Sequence, residues 1–171
     1  VWDPGCGDPE GMNAIELQQL RKTFRSPGGL VKAVSGIDVV MEPGEIVAFL
    51  GPNGAGKTTT LDMVLGLTGP TSGTVRVCDL KPREAIRQGM VGAVLQTGGL
   101  LRDMSVGETI RAIAALQDAT SRIGAVMSIA GLERIAPRRV SRCSGGEQQR
   151  IKFALALLTD PRVLILDEPT A

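Results

Sequence analysis

The chain alternates apolar and polar residues in some stretches and carries short apolar runs in others, the two patterns that β-strands produce. These patterns predict six strands, over residues 13–24, 31–40, 45–50, 74–78, 90–95 and 163–166. We expect residues 13–24 to form an edge strand. The apolar runs at 45–50 and 163–166 predict buried strands, the second of them buried on both faces.

A helical period becomes dominant in the second half of the chain. Ser105 and Glu108 have the spacing of a capping box, and apolar residues follow them every three or four positions. Further helices are predicted over residues 82–88, 120–135 and 144–159. We therefore expect a helical subdomain at about residues 97–145, inserted between two strands of an α/β core.

Composition narrows the class of protein. The chain has 171 residues, enough for one domain with a sizeable core, and its net charge is +1 with only 2% aromatic residues. Balanced charge and few aromatic side chains argue against nucleic-acid binding. The three cysteines are odd in number and lack metal-ligand spacing, which favours a reduced, cytoplasmic setting. No apolar run approaches the ~18 residues that a membrane-spanning helix needs.

Both ends of the sequence look cut. The chain starts at Val1 and stops at Ala171, directly after a functional motif. Residues 1–12 are rich in Asp, Pro and Gly and predict a disordered leader, with Met12 as the hypothesised natural start. We expect a fragment that is poorly stable and nearly inactive by itself.

A glycine-rich segment after the predicted strand 45–50 carries the clearest chemistry. Residues 51–58, Gly-Pro-Asn-Gly-Ala-Gly-Lys-Thr, match the phosphate-binding pattern G-x-x-x-x-G-K-[ST], known as Walker A. Its glycines let backbone N–H groups approach an anion, and a helix beginning near Gly56 would aim its positive end at the same phosphates. Lys57 adds a positive charge, and the Thr58 hydroxyl is a hard ligand for Mg²⁺. A chance glycine-rich turn is the competing interpretation, which the strand–loop–helix context disfavours.

Two carboxylates follow the predicted strand 163–166. The carboxyl ends of strands are where α/β sheets bind ligands, so Asp167 is placed to hold Mg²⁺. Glu168, one residue further, could orient and deprotonate an attacking water. Two surface acids capping a strand are the alternative, and the phosphate-binding pattern upstream makes it the weaker one.

A second candidate anion site lies at Ser144-Gly145-Gly146-Glu147. Ser144 is an N-cap residue, and the two glycines expose the N–H groups of a helix start. Ser144 and Glu147 also have the S-x-x-E spacing of an ordinary capping box, and this segment alone does not separate the two interpretations.

Taken in order, these motifs resemble those of the nucleotide-binding subunit of ABC transporters. Residues 143–147 resemble its L-S-G-G-Q signature, and residues 163–170 resemble its Walker B motif with the Glu-Pro-Thr continuation. Gln96 matches the Q-loop glutamine, and Phe24 the aromatic residue that stacks on adenine. The resemblance covers about residues 13–171. It implies an α/β fold: a P-loop NTPase (RecA-like) core with antiparallel β edge strands and a helical subdomain insertion.

The resemblance also implies ATP and Mg²⁺ as cofactors and a role for each matching residue. Catalysis would involve Glu168, Lys57 and Gln96, and the metal would be held by Thr58, Gln96 and Asp167. The residues implied in ATP binding are Phe24, Gly51, Pro52, Asn53, Gly54, Ala55, Gly56, Lys57, Thr58 and Thr59. Ser144, Gly145, Gly146 and Glu147 would contact the ATP of a second copy, or of a homologous subunit, in a head-to-tail dimer. Such a dimer accounts for two anion sites on one chain.

The sequence departs from the family pattern in two respects. Cys143 and Glu147 replace the Leu and Gln of the commonest signature, and we expect nucleotide binding to survive with altered turnover. The D-loop and switch histidine that follow Walker B in the family are missing, and the chain has no histidine.

The positively charged residues before the signature have a simpler interpretation. Arg138, Arg139 and Arg142 are interpreted as a solvated face.

The resulting hypothesis is a cytoplasmic ATPase subunit, peripheral at the inner face of the cell membrane. It would power the export of a drug-like or antibiotic-like small molecule through a separate permease, without nucleic acid as a partner. The alternatives are a soluble ABC-class ATPase of translation or DNA repair, and a module that binds nucleotide without hydrolysing it. The sequence leaves open the substrate, the direction of transport and whether the dimer has identical subunits.

Overall fold

The computed structural model describes residues 12–95 and 99–167. They divide into two compact units, residues 1–85 and 86–171, which are described in turn. The predicted leader, Gln96 and Glu168 lie wholly or mainly outside the described residues. The elements of the first unit are β1 (Ile15–Ser26), β2 (Gly29–Met41), α1 (Lys57–Val64), β3 (Ser72–Val77) and the start of α2 (Pro82–Arg87).

The first unit is built on an antiparallel sheet with the strand order β2-β1-β3. Ile15 pairs with Met41 on one side and with Val77 on the other, so β1 is the central strand. The prediction of an edge strand is therefore wrong. Its polar residues, such as Gln18 and Arg21, lie on an exposed face of the sheet. An alternation of apolar and polar residues shows that one face of a strand is exposed, but it does not show whether the strand lies at the edge of its sheet.

One face of this sheet carries the core of the unit. Leu17 and Leu20 of β1 and Val77 of β3 are fully buried, and Met63 and Val64 of α1 are almost completely so. Burial of side chains of this size contributes roughly 1.5–3 kcal/mol each relative to exposure. Along the chain, the glycine-rich loop lies between β2 of this sheet and α1.

The segment 45–50 differs from its prediction as a buried strand. The structure places no strand there, and Ile46 and Leu50 are 99% and 90% exposed. A strand is stabilised by ladder hydrogen bonds and by burial of its side chains, and none of the described residues pairs with this segment as a ladder. The apolar run indicates that the segment tends to form a strand, but it does not indicate whether neighbouring strands are present to pair with it.

The second unit contains a parallel pair of strands, β4 (Val91–Val94) and β5 (Val163–Leu166), with Val91 opposite Val163 and Val94 opposite Leu166. Val163 and Ile165 are buried, whereas Leu164 and Leu166 are partly exposed. The prediction that this strand is buried on both faces is therefore wrong for the described residues, because only one of its faces is covered.

Three helices complete the second unit: α3 (Val106–Leu116), α4 (Ile123–Ile129) and α5 (Gly145–Ala156). Short 3₁₀ turns connect them at Thr120–Arg122, Glu133–Ile135 and Val140–Arg142. Their shared core includes Val106 and Ile110 of α3, Val126 of α4 and Ile151 of α5, all fully buried. The start of α3 is the predicted capping box, with Ser105 and Glu108 bonded reciprocally.

The helix predicted over residues 120–135 is shorter than expected. Only Ile123–Ile129 is α-helical, and Gly131 adopts a left-handed φ of +60° just after it. Glycine in this conformation ends a helix, because the next residues can no longer continue the ladder.

Candidate functional site

The glycine-rich loop is shaped by positive φ angles. Gly54 and Gly56 both have φ of +83°, and the N–H of Ala55 donates to the carbonyl oxygen of Pro52 at 3.2 Å. Gly56 is the N-cap of α1, which confirms the expected helix start. A Cβ at Gly56 would lie 2.2 Å from the carbonyl oxygen of Ala33 on β2, so the loop backbone lies directly against the sheet.

Lys57 closes over this loop. Its Nζ donates to the carbonyl oxygens of Gly51 at 2.6 Å and of Pro52 at 3.0 Å. A phosphate would be a much stronger partner for this side chain than two neutral carbonyl oxygens are.

The three threonines after Lys57 have different surroundings. Thr58 is exposed and Thr59 is half-buried, whereas Thr60 is buried and donates its hydroxyl to the carbonyl oxygen of Gly56 at 2.9 Å. Thr60 thus ties the first turn of α1 to the loop. The sequence analysis missed this residue, although its position four residues after Gly56 is the signal for such a bond.

Phe24 lies near the end of β1 and is 43% exposed. The Nζ of Lys22 is 5.0 Å from its ring centroid and also donates to the carbonyl oxygen of Gly69. This distance is within the range of a cation–π contact, which fixes the position of the ring. The exposed aromatic face belongs to the same unit as the loop, as stacking on adenine would require.

Asp167 directly follows β5 in the second unit. Its N–H donates to the carbonyl oxygen of Val94 at 2.9 Å, which places it beside the carboxyl end of β4. Its predicted companions, Gln96 and Glu168, fall outside the described residues. In residues 12–95 and 99–167, no group of three or more acidic, cysteine or histidine side chains could hold a metal ion. The Thr58 hydroxyl of the first unit and the Asp167 carboxylate of the second are each oxygen donors of the kind that Mg²⁺ prefers.

Ser144 is the N-cap of α5 within a complete capping box. Its Oγ accepts from the N–H of Glu147 at 3.2 Å, and a carboxylate oxygen of Glu147 accepts from the N–H of Ser144 at 2.8 Å. The capping-box interpretation is therefore correct. It does not exclude an anion site, because Gly145 and Gly146 are exposed and a Cβ on either would meet open space. N–H groups in a first helical turn have no acceptor within the helix.

Glu147 is bound at both ends of its carboxylate. While Oε2 accepts from Ser144, Oε1 accepts from Nη1 of Arg138 at 2.8 Å. The Ser144 N–H is the main cause that lowers the pKa of Glu147, and the Arg138 charge lowers this pKa further against an opposing effect of burial. Glu147 is therefore ionised and paired. The assignment of Arg138 to a solvated face misses this contact.

Cys143 fills the position before the cap as a buried, apolar side chain. Its Sγ lies 3.6 Å from the carbonyl oxygen of Arg139 and donates to it. Burial, aided by the negative charge of Glu147, raises the pKa of the Cys143 thiol. The thiol is thus a packing group rather than a nucleophile.

A cleft of about 630 Å³ lies elsewhere in the second unit, lined by the start of β4 and the ends of α3 and α5. Arg122 and Asp160 form an ion pair at 2.5 Å beside it. Since Ser144 is at the opposite end of α5, this cleft is separate from the capped glycine motif.

The glycine-rich loop and Phe24 thus lie in the first unit, and Asp167 and the Ser144 motif in the second. Each unit thus has a glycine-containing motif at the start of a helix, α1 in the first unit and α5 in the second. No helix in the described parts of the chain is long and apolar enough to span a bilayer.

Comparison with known proteins identifies the class. The family model described as ABC transporter matches residues 34–171. The dimeric ATP-binding cassette MJ0796, solved in a post-hydrolysis state with ADP and Pi, superimposes with a TM-score of 0.79 at 27% identity, covering 91% of this chain and 74% of that one. The chain belongs to the ABC transporter family, and its fold is that of the nucleotide-binding cassette. The expected fold class is confirmed.

Two curated relatives show the range of transporters that it resembles. Nod factor export ATP-binding protein I of Paraburkholderia xenovorans (strain LB400) is 39% identical over 164 residues, covering 92% of this chain and 53% of the relative. Spermidine/putrescine import ATP-binding protein PotA of Frankia alni is 35% identical over 176 residues, covering 98% and 37%. The chain spans about half the length, or less, of the curated relatives that it matches.

Proposed function

We propose that this chain is the nucleotide-binding part of an ATPase subunit that powers the export of a small molecule through a separate membrane permease. The observation that carries the proposal is that two helix starts are bordered by exposed glycines: Gly51 and Gly54 lie in the loop before α1, and Gly145 and Gly146 lie in the first turn of α5. One nucleotide site needs one such phosphate cradle. The second is useful when it faces the nucleotide of another subunit.

Different residues bind the nucleotide and activate the attacking water. The loop N–H groups and Lys57, released from the carbonyls of Gly51 and Pro52, bind the phosphates, and Phe24 stacks on the adenine. Glu168 accepts a proton from a water molecule whose oxygen attacks the γ-phosphorus. The bond from that phosphorus to the β-phosphate oxygen breaks, giving ADP and phosphate.

Thr58, Asp167 and Gln96 are proposed as the oxygen donors that hold Mg²⁺. When bound, the ion neutralises charge on the phosphates. The donors match the preference of Mg²⁺ for hydroxyl, carboxylate and carbonyl oxygen.

Ser144, Gly145 and Gly146 are proposed to contact the γ-phosphate of ATP held by a second copy or a homologous subunit. Dimeric MJ0796 supports this assembly as a property of a similar cassette. The permease, and with it a place at the inner face of the membrane, is proposed because relatives are named as ATP-binding proteins of export and import systems.

Export is the preferred direction because two relatives of this chain are named as export proteins: Nod factor export ATP-binding protein I, 39% identical, and Macrolide export ATP-binding/permease protein MacB of Syntrophobacter fumaroxidans, 38% identical. The similarity to PotA makes import the competing outcome.

The test uses the full-length protein co-expressed with a membrane protein that is encoded next to it. Lys57→Ala is compared with Lys32→Ala, which removes an exposed lysine of β2 that has no proposed role. We expect phosphate release to fall by about 10²-fold or more in Lys57→Ala and to stay unchanged in Lys32→Ala. Equal rates in both variants would refute the assignment, and co-purification with ribosomes or DNA instead of a membrane protein would favour a translation or repair ATPase.

A further inference from the structure

The carboxylate of Glu147 lies in the first turn of α5, next to the N–H groups that are proposed to face phosphate. A negative side chain is favourable at a helix N-terminus, but it repels a second anion that uses the same N–H groups. A signature with glutamate at this position therefore needs something that removes the repulsion.

Arg138 provides the opposing charge. Its Nη1 donates to Oε1 of Glu147 at 2.8 Å, while Oε2 of the same carboxylate accepts from the Ser144 N–H. The side chain of Glu147 is 18% exposed and that of Arg138 is 44% exposed. Both carboxylate oxygens thus have donors within the chain, and the net charge of the pair is zero.

This ion pair is not a by-product of the capping box. The box at α3 has the same sequence spacing, yet the Ser105 hydroxyl itself donates to the carboxylate of Glu108 at 2.7 Å. Among the described residues, Glu108 forms no ion pair, whereas Glu147 does. The arginine contact therefore distinguishes the box beside the anion site from the box that only starts a helix.

The backbone also holds Arg138 in place. Its carbonyl oxygen accepts from the N–H of Val106, and the carbonyl oxygen of Ala136 accepts from the N–H of Gly107, both at 2.9 Å. The start of α3 thus fixes the segment that carries the guanidinium group, so the pair with Glu147 is built into the second unit.

We propose that Arg138 is a positioning residue that neutralises Glu147, so that the Ser144 hydroxyl and the glycine N–H groups can donate hydrogen bonds to the γ-phosphate of a partner's ATP. The proposal rests on the proposed function, because it assigns a role within that site. Loss of Arg138 leaves an unpaired carboxylate beside the incoming phosphate. Loss of both charges removes the repulsion again.

The experiment is a double-mutant cycle in the full-length transporter. Arg138→Ala should raise KM for ATP and weaken ATP-dependent dimerisation about three- to tenfold, with a smaller effect on kcat. Glu147→Gln alone provides the reference, and Arg138→Ala/Glu147→Gln should have a KM near that of Glu147→Gln, because the charge that Arg138 neutralises is then absent. The defect of Arg138→Ala should shrink in about 0.5 M salt, because salt screens exposed charges.

Two controls separate this role from general effects. Arg134→Ala removes an exposed arginine of the same connecting region and should leave KM unchanged. Arg138→Lys keeps a positive charge and should recover part of the affinity, which also covers the case in which Arg138→Ala folds poorly. If Arg138→Ala behaves like Arg134→Ala, or if Glu147→Gln does not rescue it, the inference is wrong while the proposed function stands. An inactive wild-type transporter would instead overturn the proposed function.

Discussion

The Cα of Gly56 lies so close to β2 that a Cβ there would be 2.2 Å from the carbonyl oxygen of Ala33. Gly54 has the same φ of +83°, but a Cβ there would meet nothing within 4 Å. The two glycines of the loop thus share a backbone conformation and differ in the space around them.

This difference predicts unequal effects of alanine at the two positions. Gly54→Ala should destabilise the protein by about 1 kcal/mol through the left-handed φ alone. Gly56→Ala adds an overlap with backbone that cannot move aside, and should cost roughly 3 kcal/mol or more. Urea denaturation without nucleotide measures both, and equal losses would contradict the close contact with Ala33.

The two capping boxes offer a second matched pair. Ser105→Ala and Ser144→Ala each remove an N-cap and should each cost about 1 kcal/mol of stability. Only Ser144→Ala should also reduce ATP turnover in the full-length dimer, because only that serine is proposed to contact phosphate. Steady-state ATPase assays on both variants check this, and a similar fall in turnover for both would make Ser144 a purely structural residue.

The glutamates of the capping boxes predict how stability depends on pH. Hydrogen bonds from Ser105 and Ser144 lower the pKa of Glu108 and Glu147 below the ordinary value of a glutamate side chain. A carboxyl whose pKa is lower in the folded than in the unfolded chain contributes stability above its unfolded pKa, and this contribution is lost as pH falls through the folded pKa. Denaturation curves of wild type and Glu108→Gln/Glu147→Gln should therefore differ at neutral pH and converge as pH falls through the lowered pKa values of the two glutamates. A constant difference across this range would contradict the pKa shifts.

The buried thiol of Cys143 predicts slow chemical modification. Because burial raises its pKa, the thiolate that reacts with iodoacetamide is scarce at pH 8 in the folded protein. Mass spectrometry of the peptide containing Cys143 should show little alkylation without urea and complete alkylation in urea. Rapid labelling of the folded protein would show that the site opens.

The local features of this chain were predictable from sequence, and the non-local ones were not. The capping boxes at Ser105 and Ser144 and the helix start at Gly56 depend on residues within four positions of each other, so spacing alone identifies them. The central place of β1 depends on both β2 and β3, which no pattern within one strand records. Arg138 lies between the 3₁₀ turns Glu133–Ile135 and Val140–Arg142, nine residues before Glu147 of α5, so their contact depends on how this connecting segment folds back to the start of α5.

The remaining site assignments stay predictions. Gln96 and Glu168 lie outside the described residues, and the partner's nucleotide site and the permease are proposals. Their support comes from motif order and from similarity to cassettes such as MJ0796.

The exposed segment 45–50 has a practical consequence for handling the protein. Ile46, Val47, Ala48, Phe49 and Leu50 form an uncharged, proline-free run of high β-propensity. Such a run, displayed to solvent, is a ready template for strand addition between molecules. Self-association of the isolated chain should therefore rise with concentration, and a charged substitution at Ile46 is the simplest way to slow it.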